Sequence, residues 1–252
     1  MLYLVGSGLS YEELPQGAIE ICKKCDEVLL ESYTSIIDPR TITALKFQIP
    51  PEKIGNIKRG GMEEHLKELI NKAKSHDIAI LIGGDPLIAT THKILFIEAK
   101  KQDVKIKTLH ASSIIPSIIG ECGLDFYRFG QCCTIPRWSE HYKPISFYET
   151  IFTNMQRKLH TILLLDIDPM TMDSMPPSQA VKILEEAEFA YKKNIISNNT
   201  MLMLFHNMGR DGAYKKFAKL SDLKLSTDLG SNILILPSNI TDIEREALES
   251  IL

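Results

Sequence analysis

The chain has 252 residues, 44% of them hydrophobic and 24% charged, with a net charge of −3. That is enough chain for one large domain or two smaller ones with ordinary buried cores. The slightly acidic balance excludes a polyanion binder held by bulk electrostatics and leaves folded protein partners open. No apolar run approaches the roughly 18 residues a membrane span needs. The opening MLYLVGSGLS lacks the basic region and cleavage site of a signal peptide. Five cysteines, Cys22, Cys25, Cys122, Cys132 and Cys133, are odd in number and form no disulfide framework. Cys22-x-x-Cys25 sits in a helix-like segment without a second pair to complete a zinc site, so idle thiols in a reducing, cytosolic compartment and no metal are expected.

Leu2 to Val5 reads as a buried strand running into the turn Gly6-Ser7-Gly8-Leu9. Pro15 then opens a helix with Ala18, Ile19 and Cys22 at helical spacing. Val28 to Leu30 is a second strand, followed by a poorly patterned region punctuated by Pro39, Pro50 and Pro51. Gly60-Gly61 precedes an amphipathic helix with Met62, Leu66, Leu69, Ile70 and Ala73 on one face. Ile78 to Ile82 is a strand ending in Gly83-Gly84-Asp85-Pro86, Thr90 to Lys101 a helix, and Val104 to Leu109 the next strand. Strand and helix in alternation imply a parallel sheet covered by helices.

Beyond about residue 111 the texture changes. Gln131 to Ile135 reads as an edge strand or ribbon, and Ser146-Phe147-Tyr148-Glu149 as a capping box opening a helix to about Leu159. Thr161 to Leu165 is a strand ending in Asp166-Ile167-Asp168-Pro169. A helix over Val181 to Tyr191 and strands at Met201 to Phe205 and Ile233 to Leu236 follow, and the capping box Thr241-Asp242-Ile243-Glu244 opens the closing helix. Two α/β domains of similar size, joined near residues 110–113, fit this order.

Gly6-Ser7-Gly8 has Tyr11 where a dinucleotide fingerprint needs its third glycine, and no Gly-Lys-Ser/Thr occurs, so neither a Rossmann cofactor site nor a Walker loop is expected. The strand ends are better candidates together: Gly6 to Leu9, Gly83 to Asp85, His110 to Ile114, Asp166 to Asp168 and His206 to Gly209 each follow an apolar strand. Parallel strands would gather such turns at a ligand cleft. Asp85 either positions a ligand from a rigid corner or serves the backbone N–H groups of its own turn. His65, His76 and His141 read as surface residues. His92, His110 and His206, near the proposed cleft, read as satisfied structural histidines. No triad, paired-carboxylate signature or metal cage is evident, which favours chemistry that needs little acid–base help.

Several strings carry more. LYLVGSGLS, KKCDEVLLESYTS, GGDPLIATTH, HASSI, GLDFYRFG and LHTILLLDI resemble the diphthine synthases, methyltransferases of diphthamide biosynthesis in the tetrapyrrole methylase fold group. The resemblance covers essentially the whole chain and is strongest over residues 1–168. It implies two α/β domains with the cofactor cleft between them, residues 1–111 with a parallel sheet and 112–252 with a mixed one. It also implies a homodimer that uses S-adenosylmethionine to methylate the 3-amino-3-carboxypropyl histidine of translation elongation factor 2, with no nucleic acid and no membrane. The family's cofactor positions fall on Leu9, Asp85, Ile88, Ser113, Ile114, Leu165, Met208 and Ile233; no catalytic residue carries over. HASSIIPSIIG is a residue longer than the family pattern, and LFHNMGRDG lacks its small residues. Two rival readings are a methyltransferase of a tetrapyrrole precursor and a non-catalytic cofactor-binding regulator of translation.

Overall fold

The apolar runs form strands because each is buried on both faces. The computed structural model describes residues 1–168 and 170–251, so Pro169 of the fourth strand-end motif lies outside the described residues. Contacts divide the chain into two compact units, Met1–Ile114 and Ile115–Leu252.

In chain order the first unit runs β1 (Leu2–Gly6), α1 (Ala18–Lys24), β2 (Glu27–Glu31), α2 (Pro39–Gln48), β3 (Ile54–Ile57), α3 (Arg59–Glu63), α4 (Leu66–Lys72), β4 (Ile78–Ile82), α5 (Lys93–Lys101) and β5 (Ile106–Leu109). Its five strands pair in the order β3-β2-β4-β1-β5, every pair parallel. Alternation along the strands divides the core. Leu2, Leu4, Ile78, Ile80 and Ile82 pack with α3, α4 and α5 through Met62, Ile70 and Leu95. Val5, Val28, Leu30, Ala79 and Leu81 pack with α1 and α2 through Ala18, Cys22 and Leu45. The helix after β1 and the helix after β4 therefore cover opposite faces. Adjacent parallel strands whose connections diverge in this way leave a crevice at their carboxyl ends, where open α/β sheets bind ligands.

The second unit contains α6 (Ile114–Glu121), which starts at its boundary, then β6 (Cys133–Ile135), α7 (Ser146–Gln156), β7 (Thr161–Leu165), α8 (Pro177–Tyr191), β8 (Met201–His206), β9 (Tyr214–Lys219), α9 (Leu220–Leu223), β10 (Asn232–Leu236) and α10 (Asp242–Ile251). Its sheet is mixed, in the order β6-β7-β10-β8-β9, and among the described residues only β6 and β7 pair parallel. Phe147, Tyr148 and Ile151 of α7, Ala180 and Leu184 of α8 and Leu220 of α9 form a core with Leu163, Leu202, Leu204 and Leu234.

Several expectations need correction. The region punctuated by Pro39, Pro50 and Pro51 contains α2, whose Asp38 cap accepts from the Arg40 N–H with Pro39 in the first turn, and β3. Pro15 does not open α1, which starts after Gly17 at Ala18. Gly60 and Gly61 lie inside α3 rather than before it, and the amphipathic stretch breaks into α3 and α4 at His65. Close packing explains Gly61, where a Cβ would come within 2.9 Å of the Ile57 side chain. α5 begins at Lys93, not Thr90, because Ala89 is left-handed (φ 55°) and the Thr90 and His92 side chains bond the Pro86 carbonyl instead. The Ser146 box does not form: Ile145 is the cap position and Glu149 pairs with Lys193.

Cys22 and Cys25 are buried, and burial pushes their thiols up to about 12 and about 11. Since the thiolate is the reactive form, a thiol-exchange reagent is expected to label both only as fast as the chain opens. Rapid labelling of the native protein near neutral pH would contradict this.

Candidate active site

In the first unit the carboxyl ends of β4, β1 and β5 lie side by side, Val5 pairing with Leu81 on one flank and Leu109 on the other. The turns that follow are tied together. Ser7 donates its N–H to the Ile82 carbonyl at 2.8 Å, and Gly84 donates to the Gly8 carbonyl at 2.9 Å. Leu9 donates to the Ser112 hydroxyl at 3.2 Å, and that hydroxyl donates to the Glu13 carboxylate. The backbone passes close at Gly6, where a Cβ would meet the Ala111 Cβ and the Gly84 carbonyl at 2.7 Å each. Gly84, at φ +71°, has only the Ser112 carbonyl oxygen at 3.8 Å near its missing side chain. One flank of this turn is therefore packed and the other is open.

These turns bring Leu9, Asp85, Ile88, Ser113 and Ile114 to one edge. Leu9, Asp85 and Ser113 are buried, Ile114 is half-buried, and Ile88 is 44% exposed. An aliphatic side chain that exposed beside buried turns offers an apolar contact at the rim. Asp85 does both things weighed from sequence. Its Oδ1 accepts from the Leu87 N–H at 2.9 Å, which serves the turn. Its Oδ2 accepts from His110 Nδ1 at 2.7 Å and from the Ala111 N–H at 3.3 Å. A carboxylate offers about four acceptor positions, so roughly one is left for anything else.

The second unit gathers the remaining positions on its own sheet. β10 lies between β7 and β8, pairing Ile233 with Leu164 and with Phe205. Leu165 ends β7, and Met208 follows β8 by two residues, so Leu165, Met208 and Ile233 share one edge. Leu165 and Ile233 are each 5% exposed, whereas Met208 is half-buried. A polar network stiffens this edge. His206 donates from Nδ1 to Asn232 Oδ1 at 2.8 Å, and its Nε2 accepts from Asn207 at 2.9 Å. Asn207 Oδ1 accepts from the Ser231 N–H at 2.9 Å, and Gly230 leaves room for it, since a Cβ there would lie 2.6 Å from that oxygen. Asp166 accepts from the Arg137 N–H at 3.0 Å and Asp168 from the Met170 N–H at 2.8 Å. Asp168 therefore closes its own turn, whereas Asp166 ties the end of β7 to the segment that follows β6.

The three strand-end histidines divide. His206 is satisfied at both nitrogens, as the sequence reading holds. His92 donates from Nδ1 to the Pro86 carbonyl at 2.8 Å, but its buried Nε2 has no partner among the described residues. Among the described residues His110 is bonded through Nδ1 only, and its side chain is 67% exposed. Its pairing with Asp85, together with Ser112 and Glu13, escapes sequence reasoning. The strand order β4-β1-β5 makes those neighbours, and no local spacing signals it.

Three comparisons bear on this geometry. The family described as Tetrapyrrole (Corrin/Porphyrin) Methylases matches residues 1–221. A diphthine synthase of Methanocaldococcus jannaschii is 33% identical over 99% of this chain and 98% of its own, and that of Methanothermobacter thermautotrophicus is 31% identical over 100% and 95%. A crystal structure of diphthine synthase superposes with a TM-score of 0.84 at 25% identity, over 99% of this chain and 95% of that one. The divergent connections around β1 and β4, the interlocked glycine turns and the full-length likeness agree: the chain belongs to the tetrapyrrole methylase family, among its diphthine synthases, and is a methyltransferase of diphthamide biosynthesis.

Proposed function

We propose that the chain transfers methyl groups from S-adenosylmethionine to the 3-amino-3-carboxypropyl group on a histidine of translation elongation factor 2. The observation that carries the reading is the set of interlocked turns at the carboxyl ends of β4, β1 and β5. The residues fit such a cofactor. The open flank of Gly84 is a cradle that a side chain would fill, and exposed Ile88 supplies apolar contact beside it. On its own edge the second unit offers the half-buried Met208 side chain beside the buried Leu165 and Ile233 as apolar surface. When bound, the cofactor supplies a methyl group on a sulfonium, whose displacement asks mainly for positioning and exclusion of water.

The chain's residues then have separate tasks. Backbone groups at Leu9, Ile88, Ser113 and Ile114 hold the ligand, and the Gly8–Gly84 bonds fix the distance between two of these turns. Asp85 fixes its turn and the neighbouring His110, and its remaining lone pair is available to a polar group of the cofactor. A cytoplasmic homodimer belongs to the same reading.

Removing Asp85 tests the site. Asp85→Ala leaves the Leu87 and Ala111 N–H groups without their acceptor and is expected to weaken S-adenosylmethionine binding about tenfold, ~1.4 kcal/mol, in calorimetry. Unchanged affinity would remove Asp85 from the site. The reaction is tested by transfer of labelled methyl to elongation factor 2 carrying the unmethylated group. Incorporation on the modified histidine supports the reading. Label on a tetrapyrrole precursor instead, or cofactor binding without transfer, would put one of the rival readings in its place.

A further inference from the structure

We infer that His110 is the proton acceptor for the amine that becomes methylated, with Asp85 as its positioning residue. This rests on the methyl-transfer reading and extends it to a residue to which the family likeness assigned no role. Among the histidines beside the strand ends and in the core, hydrogen bonds fix each tautomer. His206 uses both nitrogens, and His160 accepts from the Ser238 N–H at Nδ1 while donating from Nε2 to Glu244. His92 keeps an unpartnered Nε2, but the ring is 1% exposed. His110 differs from all three. Its Nδ1–H is held by the carboxylate of Asp85 at 2.7 Å, so the lone pair sits on Nε2, and the side chain is two-thirds exposed. A fixed tautomer with an accessible lone pair is what a proton acceptor needs, and the buried Asp85 carboxylate behind the ring holds it in that orientation.

The surrounding charges favour that role. Asp85 is bonded directly, and Glu13 sits behind Ser112, two residues along the same turn. The nearest cation on the same strand is the exposed Lys107, three residues back. The turn also places the ring correctly in the chain. His110 leads directly into Ser112, which holds Leu9, and into Ser113 and Ile114, so the acceptor stands among the proposed cofactor contacts.

The chemistry gives such a group a step to perform. An alkylammonium has no lone pair to attack with, and the substrate amine is largely protonated near neutral pH. In each transfer the nitrogen lone pair forms the new N–C bond, and the S–CH3 bond breaks with its electron pair remaining on sulfur. Before each attack His110 Nε2 takes one proton from the ammonium nitrogen and passes it to water. The first transfer thus starts from the free amine, and each later one from the methylated ammonium relieved of a proton. Each further methylation of the same nitrogen needs a proton removed again, until no N–H remains. Methylation of a carboxylate oxygen needs no such step.

The test has two arms. Nitrogen NMR of imidazole-labelled protein without substrate is expected to show His110 as the Nδ1–H tautomer, and Asp85→Asn is expected to erode that preference. In the second arm, initial rates are measured on elongation factor 2 carrying the unmethylated group, across the neutral and alkaline range. His110→Gln is expected to lower the rate about 10²-fold at neutral pH, with the deficit shrinking as rising pH deprotonates the amine directly. Its affinity for S-adenosylmethionine is expected to stay within about twofold of wild type, which separates proton transfer from cofactor binding. An Nε2–H tautomer in the wild type, a rate within about threefold of wild type for both His110→Gln and His110→Asn, or a deficit that does not change with pH would overturn the inference. Wild-type protein that neither binds the cofactor nor methylates the factor would overturn the underlying reading as well.

Discussion

Replacing Glu244 by alanine is expected to destabilise the chain by about 3–5 kcal/mol, because it removes one partner from a buried ionic cluster and leaves the others uncompensated. Glu244 is 3% exposed. Its carboxylate accepts from the Asp125 N–H at 3.0 Å, the Thr241 N–H at 2.8 Å and hydroxyl at 3.0 Å, His160 Nε2 at 2.8 Å and the Arg128 guanidinium. Burial holds His160 below its ordinary value, so that ring is a neutral donor and Arg128 carries the countercharge. Burial alone would raise the Glu244 carboxyl, but the backbone N–H groups of Thr241 and Asp125 and the His160 and Thr241 side chains outweigh it, and the group sits at about 2. An unfolded glutamate titrates near 4.5. Since the folded value is the lower one, this stabilisation is complete above about 4.5 and is lost as pH falls toward 2. Denaturant midpoints of the wild type should therefore drop across that window, while those of Glu244→Ala stay flatter. Parallel curves for the two proteins would show that the carboxylate is not what acid removes.

The second large effect comes from adjacent glycines that do different things. A Cβ on Gly83 would lie 2.5 Å from the Ile36 carbonyl oxygen, 2.9 Å from its carbon and 2.9 Å from the Ser35 hydroxyl. That segment cannot move aside cheaply. Glu31, 2% exposed, fixes it through the N–H groups of Tyr33 and Thr34 and the hydroxyls of Thr34 and Ser35. Gly83→Ala is thus expected to cost about 3 kcal/mol by overpacking. Gly84→Ala meets open space and should cost only the left-handed strain, about 1 kcal/mol. It would, however, occupy the cradle proposed for the cofactor. Thermal melts and calorimetry on the pair should dissociate: Gly83→Ala loses stability first, and Gly84→Ala loses S-adenosylmethionine affinity at nearly native stability. Equal melting losses would mean that the two positions are packed alike.

What the sequence revealed depended on how local the determining physics was. The runs in β1, β4, β7, β8 and β10 are continuous and apolar because both sheet faces are covered, so they stood out. β9, Tyr-Lys-Lys-Phe-Ala-Lys, sits at an edge with exposed lysines, and its polarity hid it. α2 was signalled by Asp38-Pro39, a cap followed by an N1 proline, but the prolines around it read as loop punctuation. The two capping boxes are the sharpest comparison. Thr241 and Glu244 bond reciprocally, whereas at Ser146 a distant Lys193 takes Glu149 instead. The same four-residue pattern was decided by a partner 44 residues away. For the site, the glycine turns and Asp85 were legible because they are local. The Asp85–His110 pair was not, since it joins residues 25 apart through the strand order.

That strand order also constrains how the first unit is made. β4 lies between β2 and β1, so β1 and β2 never pair, and β5 is reached only after β4 has been threaded into the centre. A nascent chain ending before Ile78 holds strands that share no hydrogen bond except β2 with β3. Cotranslational folding of this unit must wait for the segment carrying Gly83, Gly84 and Asp85 to leave the ribosome, and the last-placed strand is then the one that completes the ligand turns.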